Sequence, residues 1–129
     1  MPATRHDPFR VDPVYAGIYA HGVQWDSSSR VLVVSGQIGV APDGSLETGF
    51  EEQFEQAIRN LQAVLMDAEM ALADVTRLGI YLVRRTDIES AVNVRKRFFE
   101  GIRPAITTVL VAGLVSPDWL VEIEATAVK

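Results

Sequence analysis

Hydrophobic residues follow three different spacings along this chain. The stretch "VLVVSGQI" (31–38) is apolar at successive positions. A strand of that kind would be covered on both sides, which predicts a central place in a sheet. In 120–128, Val121, Ile123, Ala125 and Ala127 alternate with Leu120, Glu122, Glu124 and Thr126. That is the period-two pattern of a strand with one buried face. Between these two, Phe50, Phe54, Ala57, Ile58, Leu61, Val64, Leu65 and Ala68 recur at helical spacing. Thr48, with Glu51 three residues on, reads as a capping box for that helix.

The same reasoning places a first strand in "YAGIYAHGVQW" (15–25), a turn at 26–30 and a strand over 74–85. Asp87 is expected to cap a second helix whose buried stripe is Ile88, Ala91, Val92, Phe98 and Ile102, ended by Gly101 and Pro104. Further strands follow at 105–112 and 120–128. The order β-β-α-β-α-β-β, with two helices on one face of a four- to six-stranded sheet, gives a two-layer α+β domain. The other sheet face is left oily by the strand at 31–38, which points to a homo-oligomer packed through it. Residues 1–13 hold three prolines and little periodicity. They read as a loosely docked arm ahead of a single domain from residue 14 to 129.

Composition narrows the chemistry. A chain of 129 residues is ample for one domain with its own core. It contains no cysteine, which removes disulfides, thiolate nucleophiles and cysteine zinc sites. The formal charge of −5 lacks the basic footprint of a nucleic-acid binder. The first residues carry no apolar leader segment, and no apolar run reaches the ~20 residues of a membrane span. A cytoplasmic location is the expectation. His6 and His21 are the only histidines, and neither has the clustered carboxylates that a metal would need. Neither a metal nor a cofactor is expected.

Two places could carry chemistry. Glu122 and Glu124 lie about 7 Å apart on one face of the last strand. Either they form a solvated outer face, or one of them lies at a subunit contact and handles a proton. "SGQIG" (35–39) ends the strand before it. Gly36 there allows close approach of a backbone or ligand, and free N–H groups could hold an oxyanion; a bulge or tight turn is the alternative. On the strand at 105–112, Ile106, Thr108, Leu110 and Ala112 share a face on which Thr108 is the only polar residue.

Taken together, "YAHGV" (19–23), "VVSGQIGV" (33–40), "AVNVRKRFF" (91–99), "RPAITTV" (103–109) and "VEIEATAV" (121–128) resemble the Rid family (reactive intermediate deaminase), also called YjgF/UK-type or endoribonuclease L-PSP proteins. The resemblance runs from about residue 14 to the C-terminus. It implies a chorismate-mutase-like fold and a homotrimer whose sheets line a central barrel, with small-molecule sites in clefts between subunits. It also implies cofactor-free hydrolysis of 2-imino acids or their enamine tautomers to 2-keto acids and ammonia. Carried over residue by residue, it assigns Glu122 the catalytic role. Tyr19, Ser35, Gly36, Asn93, Ile106 and Thr108 become substrate-binding positions.

Ile106 is the departure. The family places there an arginine that clamps the substrate carboxylate through two charge-assisted hydrogen bonds. Isoleucine offers none, which argues against ordinary 2-imino-acid turnover and for a less anionic ligand. Arg103 lies an odd number of residues away and is not expected to substitute; Arg85 or Arg95 could approach from a neighbouring subunit. Three functional readings follow. The leading one is hydrolysis of an imine, enamine or related bond. A non-catalytic ligand-binding or regulatory trimer is the second, and an endoribonuclease the third.

Overall fold

The computed structural model describes residues 3–7 and 19–129. Its strands are β1 (Ala3–His6), β2 (Gly22–Trp25), β3 (Val31–Ile38), β4 (Val75–Leu82), β5 (Ala105–Leu110) and β6 (Val121–Val128). Its helices are α1 (Phe50–Asp67) and α2 (Ile88–Phe98), with short 3-10 turns at Leu72–Asp74 and Arg85–Asp87. The main sheet runs β3-β6-β4-β5; only β4 and β5 are parallel, joined by the crossover through α2. The fold is therefore two helices over a mixed sheet, the α+β arrangement expected.

The core lies between the sheet and the helices. Phe54, Ala57, Ile58, Leu61 and Leu65 of α1 are fully buried, and so are Leu78 and Leu82 of β4 and Val121 and Ile123 of β6. Two polar side chains fix α1 to the surrounding loops. Asn60 Nδ2 donates to the carbonyls of Ile38 and Val40, each at 2.9 Å. Buried Gln53 donates to Asp118 O and accepts from Leu120 N. The helical spacing alone does not reveal Gln53, since a polar residue inside an apolar stripe reads as an exception until its partners are known.

Several expectations change. β3 is an edge strand among the described residues, pairing only with β6. Its apolar pattern is genuine, but the outer side chains are uncovered: Val33 is 77% exposed. Thr48 does not cap α1. Gly49, at φ 88°, occupies the N-cap position, and the helix starts one residue later without a side-chain cap. Asp87 stands at the N-cap of α2 without capping it, because its carboxylate takes two hydrogen bonds from Arg84, at 2.7 and 3.0 Å. The opening segment is more ordered than a loose arm implies. Ala3–His6 pairs antiparallel with Gly22–Trp25 in a separate two-stranded sheet. The expected first strand reduces to 22–25, its portion at 15–18 lying outside the described residues. Ala20 alone reaches the main sheet, as a bridge to Ala105.

The end of β3 tolerates little added volume. A Cβ at Gly39 would lie 2.5 Å from Gln53 Cα, a backbone atom of α1 that cannot swing away. Gly39→Ala is expected to lower stability by about 1–3 kcal/mol, the usual cost of overpacking. Urea denaturation measures it, and an unchanged midpoint would contradict this packing.

Candidate active site

Strand register decides where each candidate side chain points. Ile106 pairs with Leu78, which pairs with Ala125, which pairs with Val34. Glu122 pairs with Ile38 on one side and Tyr81 on the other, and Tyr81 pairs with Val109. Directly paired residues share a face and adjacent residues do not. The first row contains the buried Leu78 and Ala125 and faces the helices. The second lies on the open side. Ile106 and Glu122 are thus on opposite faces of one sheet.

On the helix side, between β5 and α2, is a cavity of about 360 Å³. Ile80, Ile106 and Thr108 form its floor, with Ile88, Ala91, Val92 and Arg95 of α2 above and Tyr19 beside them. Tyr19 is brought there because Ala20 N donates to Pro104 O at 2.9 Å, laying the segment from Tyr19 along β5. The Tyr19 ring meets His21 edge-on at 5.3 Å. Of the positions expected to bind substrate, Tyr19, Ile106 and Thr108 therefore come together. Asn93 is exposed on α2 and outside this lining.

On the open side, Glu122 lies against Gly36. A Cβ at Gly36 would sit 1.9 Å from Glu122 Oε2, so only glycine leaves that carboxylate where it is. Ser35 and Gly36 occupy an irregularity in the β3–β6 ladder between Val34 and Gln37. Both are exposed, and the Ser35 carbonyl accepts from Gln37 Nε2 at 3.1 Å. The bulge reading of "SGQIG" holds, and the group that comes close to Gly36 is the Glu122 side chain rather than the backbone or ligand expected.

The two glutamates of β6 part company here. Glu124 accepts from Tyr81 Oη at 2.6 Å and from Arg77 at 3.3 Å. The Tyr81 hydroxyl, opposed by burial and helped by Arg77, holds the Glu124 carboxyl below its ordinary range. The same contact pushes the Tyr81 phenol up. The Glu122 carboxylate has no hydrogen bond or ion pair among the described residues, which leaves it free to meet a ligand.

The cations sort in the same way. Arg103 pairs with Asp7, whose other oxygen accepts from His21 N. One arm of its guanidinium is engaged in that ion pair. Arg85 is exposed and outside the cavity. Arg95, named above with Arg85 as an arginine that could approach from a neighbouring subunit, lines the cavity of its own chain. Its one sequence signal is negative: the residues three and four away along the helix, Ala91, Val92, Phe98 and Phe99, offer no anion. No three His, Asp or Glu among the described residues cluster as a metal would need. No helix among them is long and apolar enough to cross a membrane.

Comparison with known proteins gives a consistent result. The sequence model described as endoribonuclease L-PSP matches residues 10–129. A mouse (Mus musculus) protein named 2-iminobutanoate/2-iminopropanoate deaminase is 32% identical over 119 residues, covering 91% of this chain and 85% of that one. The solved structure of the Rid-family protein YyfB from Yersinia pestis superposes with a TM-score of 0.88 at 31% identity, covering 98% of each chain. That of E. coli TdcF with bound serine superposes with a TM-score of 0.74 at 30% identity, covering 88% of this chain and 89% of that one.

The Glu124 contact has a pH signature. A lowered folded value means that its contribution to stability is present above the unfolded value and fades as pH falls through the folded one. Tyr81→Phe removes the largest cause, so the Glu124 carboxyl is expected to titrate at higher pH. Carbon-detected NMR titration reads this directly, and an unmoved Glu124 would contradict the assignment.

Proposed function

The chain belongs to the endoribonuclease L-PSP family, the Rid/YjgF proteins, and on that footing we propose that it is a deaminase hydrolysing an imine or enamine in a cleft shared between copies of a homotrimer. The observation that carries this is the division of the candidate residues between two sheet faces. One chain offers Glu122, Gly36 and Ser35 on one side and Tyr19, Ile106 and Thr108 on the other. Two different surfaces meeting head to tail form a heterologous interface, which closes into a ring rather than a two-fold dimer. A three-membered ring is the assembly the family resemblance implies. Val33 and Val109, exposed on the open face, supply apolar area for such a contact.

The chemistry asks little of the protein. Glu122 takes a proton from water as the oxygen attacks the imine carbon, giving a carbinolamine. Glu122 returns that proton to nitrogen and takes up the hydroxyl proton as the carbon–nitrogen bond breaks, leaving a carbonyl compound and ammonia. An enamine enters by first gaining a proton on carbon. The reaction consumes one water and transfers no electrons, so the scheme balances without a cofactor. The mouse relative's name indicates a deaminase of 2-imino acids, and this chain is assigned the same reaction type.

A second reading, a ligand-binding trimer without turnover, draws on Ile106, which puts an apolar side chain where the family clamps its substrate. The net charge of −5 gives a ribonuclease reading no support.

Imines generated in situ by amino-acid and amine oxidases provide the assay, with ammonia release as the signal. Glu122→Gln is expected to reduce turnover by roughly 10²–10⁴-fold, the usual share of a general base. Full activity in that variant would overturn the role of Glu122. Ligand binding without turnover in either form would favour the regulatory reading. Light scattering is expected to give three times the chain mass of 14.2 kDa, and a monomer or a two-fold dimer would contradict the shared cleft.

A further inference from the structure

The cavity between β5 and α2 is lined by a cation with no anionic partner among the described residues. Three other arginines of this region have partners, while Arg85 is exposed to solvent. Arg97 donates to Glu51 and Glu55, each at 2.9 Å, and Arg84 holds Asp87. Arg59 lies over the Phe98 ring at 5.6 Å. Arg95 has no hydrogen bond, ion pair or ring contact through its guanidinium among the described residues. It is nonetheless partly buried, and burial alone pulls its guanidinium below the usual arginine value. A charge drawn out of water without a partner is costly, and an anion that fills the gap recovers that cost.

The surroundings define the anion. Ile80, Ile88 and Ile106 make three sides apolar, and Thr108 adds one hydroxyl. About 360 Å³ accommodates a metabolite-sized ligand. We propose that Arg95 is the carboxylate-binding residue of this protein, and that the ligand is a small monocarboxylate with a short aliphatic chain packed on Ile106. The guanidinium comes from the helix roof of the cavity instead of its strand floor. Ile106 then sets side-chain preference, and the ligand need not be less anionic than the family's. Identifying the ligand as a 2-imino acid rests on the deaminase reading; the carboxylate site does not.

The stable probe is 2-oxobutanoate, the keto acid that deamination would release, titrated calorimetrically into the full-length protein. Arg95→Met is expected to weaken binding by roughly ten- to a hundred-fold, the loss of a charge-assisted contact. Arg95→Lys should fall between, keeping the charge without the two-pronged geometry. The methyl ester should bind wild type as weakly as the acid binds Arg95→Met. Adding Ile106→Arg to Arg95→Met should restore affinity for the acid. Equal affinity in wild type and Arg95→Met, equal binding of acid and ester, or no uptake of the acid at all would each overturn the proposal. Circular dichroism checks the fold, and if Arg95→Met is unfolded, the lysine variant and the ester comparison decide. Arg95-dependent binding with no ammonia from any imine would sustain this site and remove the deaminase reading. Ammonia release with an unchanged KM in Arg95→Met would do the reverse.

Discussion

Every placement in this site depends on the alternation of side chains along β6, β4 and β5. Val121, Ile123, Ala125 and Ala127 are buried beneath the helices, which forces Glu122, Glu124 and Thr126 to the opposite side. Register then carries the same division across β4 into β5, so that Ile106 and Thr108 fall with the core rows and Val109 with Glu122. A one-residue slip would exchange the faces and bury the carboxylates. The hydrophobic effect on one face thus decides which groups on the other are available for chemistry.

That constraint has a chemical cost in a single chain and a benefit in an assembly. Glu122 and Ile106 lie on opposite faces of the sheet, and in the assembly proposed above each chain would contribute one half of two sites. The open side keeps one carboxylate free because Tyr81 and Arg77 occupy the other. Glycine at position 36 leaves room for the free one. The helix side has a largely apolar cavity lined by Arg95 of α2, whose guanidinium has no anionic partner among the described residues. A small anion with a hydrolysable centre is the ligand proposed for the two halves together.

Much of the fold could be read from spacing, because burial imprints a period on the chain. β3 has the bounds its apolar run suggests, and the α1 stripe is buried as its spacing requires. What could not be read depends on tertiary contacts. An apolar edge strand looks the same in sequence as a central one, so Val33 gave no sign of its exposure. Thr48 and Asp87 have capping chemistry, but Gly49 takes the first N-cap position and Arg84 claims the Asp87 carboxylate. The pairing of Ala3–His6 with β2 joins short segments of weak pattern. At the site, the alternation showed that Glu122 and Glu124 share a face, but only the Tyr81 contact tells them apart. Ile106 could be picked out through the family resemblance. Arg95 could be named as a candidate but not placed in the cavity, since its position there depends on how α2 packs over β5.

Subunit complementation tests the central claim, that a complete site combines the helix side of one chain with the open side of another. Glu122→Gln and Arg95→Met chains, each impaired alone, are co-refolded in equal amounts and assayed for ammonia release. In a randomly mixed cyclic assembly about a quarter of the clefts would receive Glu122 from one parent and Arg95 from the other, so activity near that fraction of wild type is predicted. A mixture no more active than its parents would contradict the shared site and place the functional groups within one chain.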